Sequence, residues 1–136
     1  MDKNIEELVI SAFILKRRRE RARIELFNEK KREHFLWYMH DEAAFESNYM
    51  QKIEEPVSST RIVYDILKKC GAPDSCYVMS LFSSCDGQIV TLEQGLSEVV
   101  FNGHGLISCI HGKLAYFEGE APCGPGPPSR FLLMKK

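Results

Sequence analysis

The sequence predicts a single α+β domain in which N-terminal helices pack on one face of a C-terminal, mainly antiparallel sheet of about four strands. Apolar residues recur at helical spacing as far as Gly71, whereas β-branched and aromatic runs separated by turn residues follow Pro73. The 136 residues, 44% of them hydrophobic, are enough to bury one core without metals or disulfides. We expect a helical half at residues 1–72 and a strand-rich half at residues 73–136.

The helical half begins with an amphipathic helix from about Lys3 to Leu15. Its apolar positions are Ile5, Leu8, Val9, Ala12 and Phe13. The basic segment Lys16–Arg23 follows. The residues leave open whether the first helix continues through this segment or breaks within it.

Two further helices are predicted before Gly71. Asn28 is expected to cap the first, which runs to Met39, and residues 41–56 are expected to form a loop or a short extended segment. Ser58 or Ser59 is expected to cap the second helix, and Gly71 occupies its usual stop position. The apolar face of this second helix comprises Ile62, Val63, Ile66, Leu67 and Cys70.

Turn residues separate the predicted elements of the strand-rich half. Four strands are predicted, at residues 76–81, 106–110, 113–118 and 131–134. Thr91 and Gln94 form a capping box for a short helix, whose buried face comprises Leu92, Leu96, Val99 and Val100. His111-Gly112 suits a tight hairpin turn, and a Pro/Gly loop from Pro122 to Pro128 precedes the last strand.

Charge and cysteine usage limit the functional classes. The net charge of -1 argues against a protein that coats nucleic acid or anionic membrane with its whole surface. No apolar run approaches the roughly 20 residues of a membrane span, so we expect no membrane partner. The first residues are acidic and show no export signal, so the five cysteines are expected to be free thiols in the cytoplasm.

Nucleic-acid binding through Lys16–Arg23 is one alternative function, because Arg and Lys on one helical face can contact phosphates. The acids Glu20, Glu25, Glu29 and Glu33 lie in and after this segment. Several of them stand three or four residues from a base, which favours ordinary pairing along a helix. The segment is therefore better interpreted as a solvated or partner-facing surface.

A thiol-dependent enzyme is a second alternative, with Cys85 or Cys109 as nucleophile and His104 or His111 as its base. Cys109 and His111 stand two apart in a predicted strand, so their side chains are expected to share a face. No nucleophile signature surrounds these cysteines, and we assign no catalytic residue. The spacing of Cys109 and His111 is too short for a zinc pair and no second pair exists, so neither a metal nor another cofactor is expected.

Phe35, Trp37 and Tyr38 fall within four helical positions and cannot all face one core, so at least one ring is expected to be exposed. Trp, Tyr and Arg are favoured at interaction hot spots. We therefore predict a non-catalytic interaction or regulatory module that binds another protein. The residues predicted to carry the contact are Arg17, Arg18, Arg21, Trp37 and Tyr38.

Residues 59–134 resemble a family of small uncharacterised bacterial proteins, with weaker signs of likeness forward to Lys16. The stretches that carry the resemblance are Cys70-Gly71-Ala72-Pro73, Cys76-Tyr77-Val78-Met79-Ser80, Asp86-Gly87 and the long run from Ser108 to Glu120. The resemblance implies a bacterial cytoplasmic origin and a single compact fold. It implies no activity, cofactor or site residue.

Overall fold

The computed structural model of the chain describes residues 1–120 and 128–135. Cys123 and all of the Pro/Gly loop except Pro128 lie outside the described residues. The described part contains five α-helices and a six-stranded sheet. The predicted α+β class is therefore confirmed, with two strands more than expected.

The helices and strands have the following bounds. The helices are α1 (Lys3–Phe13), α2 (Arg19–Leu26), α3 (Arg32–Tyr38), α4 (Thr60–Lys69) and α5 (Leu92–Val99). The strands are β1 (Met50–Lys52), β2 (Ser75–Met79), β3 (Ile89–Thr91), β4 (Gly105–Ile110), β5 (Leu114–Glu118) and β6 (Arg130–Met134). A 3-10 helix at Lys16–Arg18 leads into α2.

The sheet has the strand order β1-β6-β5-β4-β2-β3, and every neighbouring pair is antiparallel. The four predicted strands are β2, β4, β5 and β6. The two additional strands, β1 and β3, form the edges of the sheet and are three residues long each. Segments this short carry too few alternating positions to reveal a strand in the sequence.

Helices cover both faces of the sheet, whereas the sequence predicted cover on one face. Helices α1, α2 and α3 pack on the face that includes Tyr77 and Phe117. Helices α4 and α5 pack on the opposite face, against neighbouring strand residues such as Val78 and Tyr116. Because strand side chains alternate between faces, the apolar runs of β2 and β5 supply both cores, as expected for strands buried on both sides.

The chain breaks between α1 and α2, which answers the question that the sequence left open. Ile14 is extended and forms an isolated antiparallel bridge with Phe45. The backbone N–H of Leu15 donates to the carbonyl of Ala44, and that of Glu46 donates to the carbonyl of Phe13. These long-range bonds replace helical ones, so residues 3–27 form two helices.

The capping predictions have different outcomes. The Thr91 hydroxyl accepts a hydrogen bond from the Gln94 N–H at 3.1 Å, which confirms one half of the predicted capping box of α5, whereas the Gln94 side chain donates to Cys85 Sγ instead. Ser59 occupies the N-cap position of α4, but its side chain makes no capping hydrogen bond. Asn28 does not cap a helix, because its side-chain oxygen accepts from the Lys30 N–H and organises a turn. Helix α3 starts four residues later, at Arg32.

A buried ionic network ties α1 to α3. Glu6 is fully buried on α1, and its carboxylate accepts from Arg32 Nη1 at 2.7 Å and from the Tyr77 hydroxyl. Burial beside this carboxylate raises the pKa of Tyr77. The network holds α3 in register on the core, which fixes the direction of its outer face.

Candidate functional site

Three polar side chains form a line along the outer side of α2. Ala22 and Leu26 are buried four residues apart and bind α2 to the core. Arg18, Arg21 and Glu25 are spaced by three and four residues, so they lie one above another on a neighbouring side of the helix. Arg18, at the end of the 3-10 helix, and Arg21 and Glu25 of α2 therefore present two guanidinium groups and one carboxylate along a single line.

Helix α3 presents a complementary aromatic surface. Phe35 is fully buried and its ring lies 5.4 Å from that of Tyr38, centroid to centroid. His34, Trp37 and Tyr38 are spaced by three and one and occupy the side of α3 next to this anchor. Trp37 is 49% exposed, which confirms that one aromatic ring of this group is not absorbed by the core.

A groove of about 210 Å³ runs between the two surfaces and is named here the α2–α3 groove. Its lining residues are Arg18, Arg21, Glu25, His34, Phe35, Trp37, Tyr38 and His40. The structure thus brings together four of the five residues that the sequence predicted as the partner contact. Arg17, the fifth, is exposed on the preceding 3-10 helix and is not part of the lining.

Two buried polar atoms of the α2–α3 groove have no hydrogen-bond partner among the described residues: Arg18 Nε and Glu25 Oε1. The other carboxylate oxygen, Glu25 Oε2, accepts from His34 Nδ1 at 2.8 Å and lies 3.5 Å from Arg21 Nη1. The Arg18 guanidinium lies over the Tyr38 ring, 5.3 Å from its centroid. Since native proteins satisfy nearly all buried polar atoms, this donor and this acceptor require a partner beyond the described residues, such as water or a bound group.

His104 Nδ1 is a third buried polar atom without a hydrogen-bond partner among the described residues, and it lies behind Trp37. His104 is 2% exposed, and its ring contacts those of Trp37 and Phe82 at centroid distances of 5.5 and 5.0 Å. Its Nε2 donates to the Leu36 carbonyl at 3.0 Å, so Nδ1 carries the lone pair in the neutral ring. Burial lowers the pKa of His104, although the Glu120 carboxylate 4.0 Å away opposes this effect.

The predicted shared face of Cys109 and His111 is wrong. The pairing of β4 with β5 shifts between Ser108 and Ile110, so the alternation of side chains is interrupted there. Cys109 packs in the core beneath α4 and α5, while His111 Nδ1 bonds to the Ser108 hydroxyl at 2.7 Å. Burial raises the pKa of Cys109 to about 12, the reverse of what a thiolate nucleophile needs.

The other proposed thiol pair is not assembled either. Cys85 is buried in the same core as Cys109, and its Sγ accepts from Gln94 Nε2 at 3.6 Å. The hydrogen bond of His104 goes to the backbone of Leu36. Over the described ranges, no Cys–His hydrogen bond links the four residues of the thiol alternative.

The basic segment Lys16–Arg23 does not form one cationic face. Arg23 donates two hydrogen bonds to Glu7 on α1, at 2.7 and 2.9 Å, and this pairing lowers the pKa of Glu7. Arg19 Nε donates to the Ile14 carbonyl, which ties it to the helix break. Arg17 remains exposed to solvent. The bases are thus divided between intramolecular contacts, the groove and open solvent.

The described ranges contain neither a metal-binding cluster nor a membrane-spanning helix. Residues 1–120 and 128–135 contain no group of three or more His, Cys, Asp or Glu side chains placed to hold a metal ion. Within these same ranges, every helix is too short or too polar to cross a lipid bilayer.

The class that the fold and site define is an α+β domain with helices on both sheet faces and a polar, aromatic groove between two of them. Comparison of the chain with protein-family models, curated proteins and solved structures finds no match in any of the three. The resemblance to small bacterial proteins therefore stays a prediction.

Of the groove residues, sequence reasoning missed Glu25, His34 and His40. The signal for Glu25 was present, because it continues the line of Arg18 and Arg21 by one helical turn. It was interpreted as an intrahelical partner of those bases. The position of α3 opposite α2 had no comparable local signal, since it depends on the turn at residues 27–31.

Proposed function

We propose that the chain is a non-catalytic protein-interaction or regulatory module that binds a segment of another protein in the α2–α3 groove. The observation that carries this proposal is the pair of unsatisfied atoms, Arg18 Nε and Glu25 Oε1. One is a donor and the other an acceptor. A peptide group offers the complementary pair, since its carbonyl accepts and its N–H donates.

The aromatic side of the groove supports a polypeptide partner. Trp37 is half exposed and Tyr38 lies beside it, and both residue types carry much of the binding energy in protein interfaces. Rings of this kind lose little side-chain freedom when they are covered. A partner that covers Trp37 would therefore gain apolar contact area at low entropic cost.

Glu25 argues against nucleic acid as the partner. Glu25 is 8% exposed, and its Oε1 lies among the groove residues without a hydrogen-bond donor in the described part of the chain. In addition, Arg23 is already paired with Glu7. A protein partner is favoured because it supplies hydrogen-bond donors for Glu25, which phosphate groups lack.

The proposal includes the setting that the sequence suggests. We place the module in the bacterial cytoplasm, in line with the free thiols of Cys70, Cys76, Cys85 and Cys109 and with the resemblance of residues 59–134. In that setting a module without chemistry of its own would act as an accessory or regulatory subunit.

Site-specific photo-crosslinking tests the proposal. p-Benzoylphenylalanine replaces His34 in the groove or, as a matched control, the exposed Ser97 on α5 at the opposite face. In lysate of the source organism, we expect a protein adduct from position 34 and none from position 97. Adding Trp37→Ala to the position-34 variant is expected to abolish the adduct.

A charge-reversal series separates the groove from the general basic surface. Arg18→Glu and Arg21→Glu are expected to abolish the position-34 adduct, whereas Arg17→Glu, outside the groove, should leave it unchanged. Circular dichroism checks that each variant is folded. Adducts that disappear on nuclease treatment, or that form equally from position 97, contradict the proposal.

A further inference from the structure

We infer that the segment bound in the α2–α3 groove is acidic: it places an Asp or Glu carboxylate on Arg18 and Arg21 and a neighbouring bulky apolar side chain on Trp37. This inference rests on the proposed function and specifies the chemistry of the partner. The reasons come from how the two arginines and the tryptophan are held.

Arg21 is available for a second carboxylate. Its side chain is 60% exposed, and its contact with Glu25 is a single one at 3.5 Å, longer than a strong charge-assisted hydrogen bond. A guanidinium carries five N–H groups in one plane, so Arg21 retains donors for a bidentate carboxylate. Glu25 directs them, because it fixes one end of the guanidinium in the groove.

Arg18 supplies the second cationic contact, and Tyr38 orients its guanidinium. Its guanidinium lies over Tyr38, which restricts the side chain, and its Nε is buried without a partner among the described residues. An acceptor that contacts the Arg18 guanidinium from the groove would meet a side chain that Tyr38 already restricts, so little side-chain freedom is lost. Because Arg18 immediately precedes α2 and Arg21 lies three residues later in its first turn, a single carboxylate or an adjacent carbonyl and carboxylate can contact both.

Trp37 provides a preformed apolar surface beside the cations. The rings of His104 and His40 support it from behind, at centroid distances of 5.5 and 5.6 Å. The exposed part of the indole is thus held in place before a partner arrives. A bulky aliphatic side chain next to the acidic residue would cover it.

Charge around the groove is consistent with an anionic partner. Lys16 and Arg17 are exposed immediately before Arg18 on the 3-10 helix; the acids beside them are Glu20 and Glu46, whose carboxylate accepts from the Lys16 backbone N–H at 2.8 Å. The whole chain carries a net charge of only -1, so this cationic concentration is local. A local positive field attracts acidic segments and disfavours basic ones.

Fluorescence of Trp37, the single tryptophan, reports occupancy of the groove directly. The probes are acetylated, amidated Gly/Ser octapeptides with a central Asp-Leu, Asn-Leu, Lys-Leu or Asp-Ser pair. We expect the Asp-Leu peptide to bind about tenfold more tightly than the Asn-Leu peptide, as a charge-assisted hydrogen bond replaces a neutral one. The Lys-Leu and Asp-Ser peptides should bind more weakly still than Asp-Leu.

Two variants locate the charge effect. In Arg21→Gln the preference for Asp-Leu over Asn-Leu should disappear, while in Arg17→Gln, the matched control outside the groove, it should persist. Equal binding of the Asp and Asn peptides, tighter binding of the Lys peptide, or no binding of the Asp-Leu peptide overturns the inference. The crosslinking experiment tests the proposed function separately. If position 34 gives a protein adduct while the peptides give any of these results, only the acidic-segment inference fails. If position 34 gives no adduct, the proposed function itself fails.

Discussion

Arg32 and Asp86 are joined by two parallel hydrogen bonds, from Nε to Oδ2 at 2.8 Å and from Nη2 to Oδ1 at 3.0 Å. The remaining terminal nitrogen of Arg32 donates to Glu6 at 2.7 Å. Asp86 also accepts from the backbone N–H of Ser80. One guanidinium thus links α1, α3 and the loop after β2, and it anchors α3 on the side of the helix away from the α2–α3 groove.

Replacement of Arg32 should be strongly destabilising. In Arg32→Met the fully buried Glu6 loses its cationic partner, and breaking a buried ion pair from one side typically costs about 3–5 kcal/mol. We expect a loss of this size in the free energy of unfolding measured in urea. The matched variant Glu6→Gln/Arg32→Met, which removes the buried charge of Glu6 and leaves only the partly exposed Asp86 without its cation, should recover part of it. A loss below about 1 kcal/mol for the single variant contradicts this account.

Gly95 permits the close approach of α5 to β2. A Cβ added at this position would overlap Cys76 Sγ, which is buried in the same core. Gly95→Ala is therefore expected to destabilise the protein by about 1–3 kcal/mol through overpacking, despite the better helix propensity of Ala.

A double-variant cycle identifies this contact as the cause. Cys76→Ala removes the clashing sulfur, so the loss in Gly95→Ala/Cys76→Ala should be smaller than the sum of the two single losses. Ser97→Ala, exposed on the same helix, should change stability by less than about 0.5 kcal/mol. Strictly additive losses in a urea-unfolding series contradict the packing explanation.

Sequence patterns reveal the features of this fold that are encoded over a few neighbouring residues. The cap at Thr91 with Gln94 and the strands β4 and β5 are examples, since hydrogen bonding and alternation there are local. The edge strands β1 and β3 were missed because three residues define no alternation. The shared face of Cys109 and His111 was wrong because a register shift is invisible in the residue pattern.

The α2–α3 groove was also only partly predictable from local sequence patterns. The sequence predicted Arg18, Arg21, Trp37 and Tyr38 as contact residues from composition and exposure. It had no means of showing that α2 and α3 face each other, because the break at Ile14 and the turn at Asn28 set that geometry. The break depends on hydrogen bonds between residues 13–15 and residues 44–46, which only the tertiary fold brings together, whereas the turn at Asn28 is local and replaces the helix cap that the sequence predicted.

Thiol reactivity should follow burial. Burial raises the pKa of both Cys76 and Cys109 to about 12, so at pH 7 these two thiols are almost entirely protonated. We expect iodoacetamide to label the half-buried Cys70 of the native protein well before these two, as measured by mass spectrometry of tryptic peptides. All three should react at similar rates in urea. Rapid labelling of native Cys109 would favour the thiol-enzyme alternative instead.

Acidification should destabilise the protein through the buried His104 and the half-buried His111. Desolvation lowers the pKa of His104 and of His111 relative to the ordinary value of 6.5. The groups that face His104 are the Leu36 carbonyl and the Glu120 carboxylate, which favour its protonated form, and His40, which opposes it; burial outweighs them. The unfolded state therefore binds protons more readily than the native state as the pH falls through 6.5.

The sign of the effect follows from proton linkage. Because the unfolded chain holds more protons in this range, the free energy of unfolding rises with pH. The part of it that depends on these histidines is lost on acidification from about pH 7 to about pH 5. His104→Gln retains an N–H for the Leu36 carbonyl but cannot titrate, so its stability should depend less steeply on pH. In the double variant His104→Gln/His111→Gln, the free energy of unfolding should depend on pH even less steeply. Urea unfolding at several pH values checks this prediction, and equal slopes for the wild type and His104→Gln would show that His104 is protonated as easily in the native as in the unfolded protein.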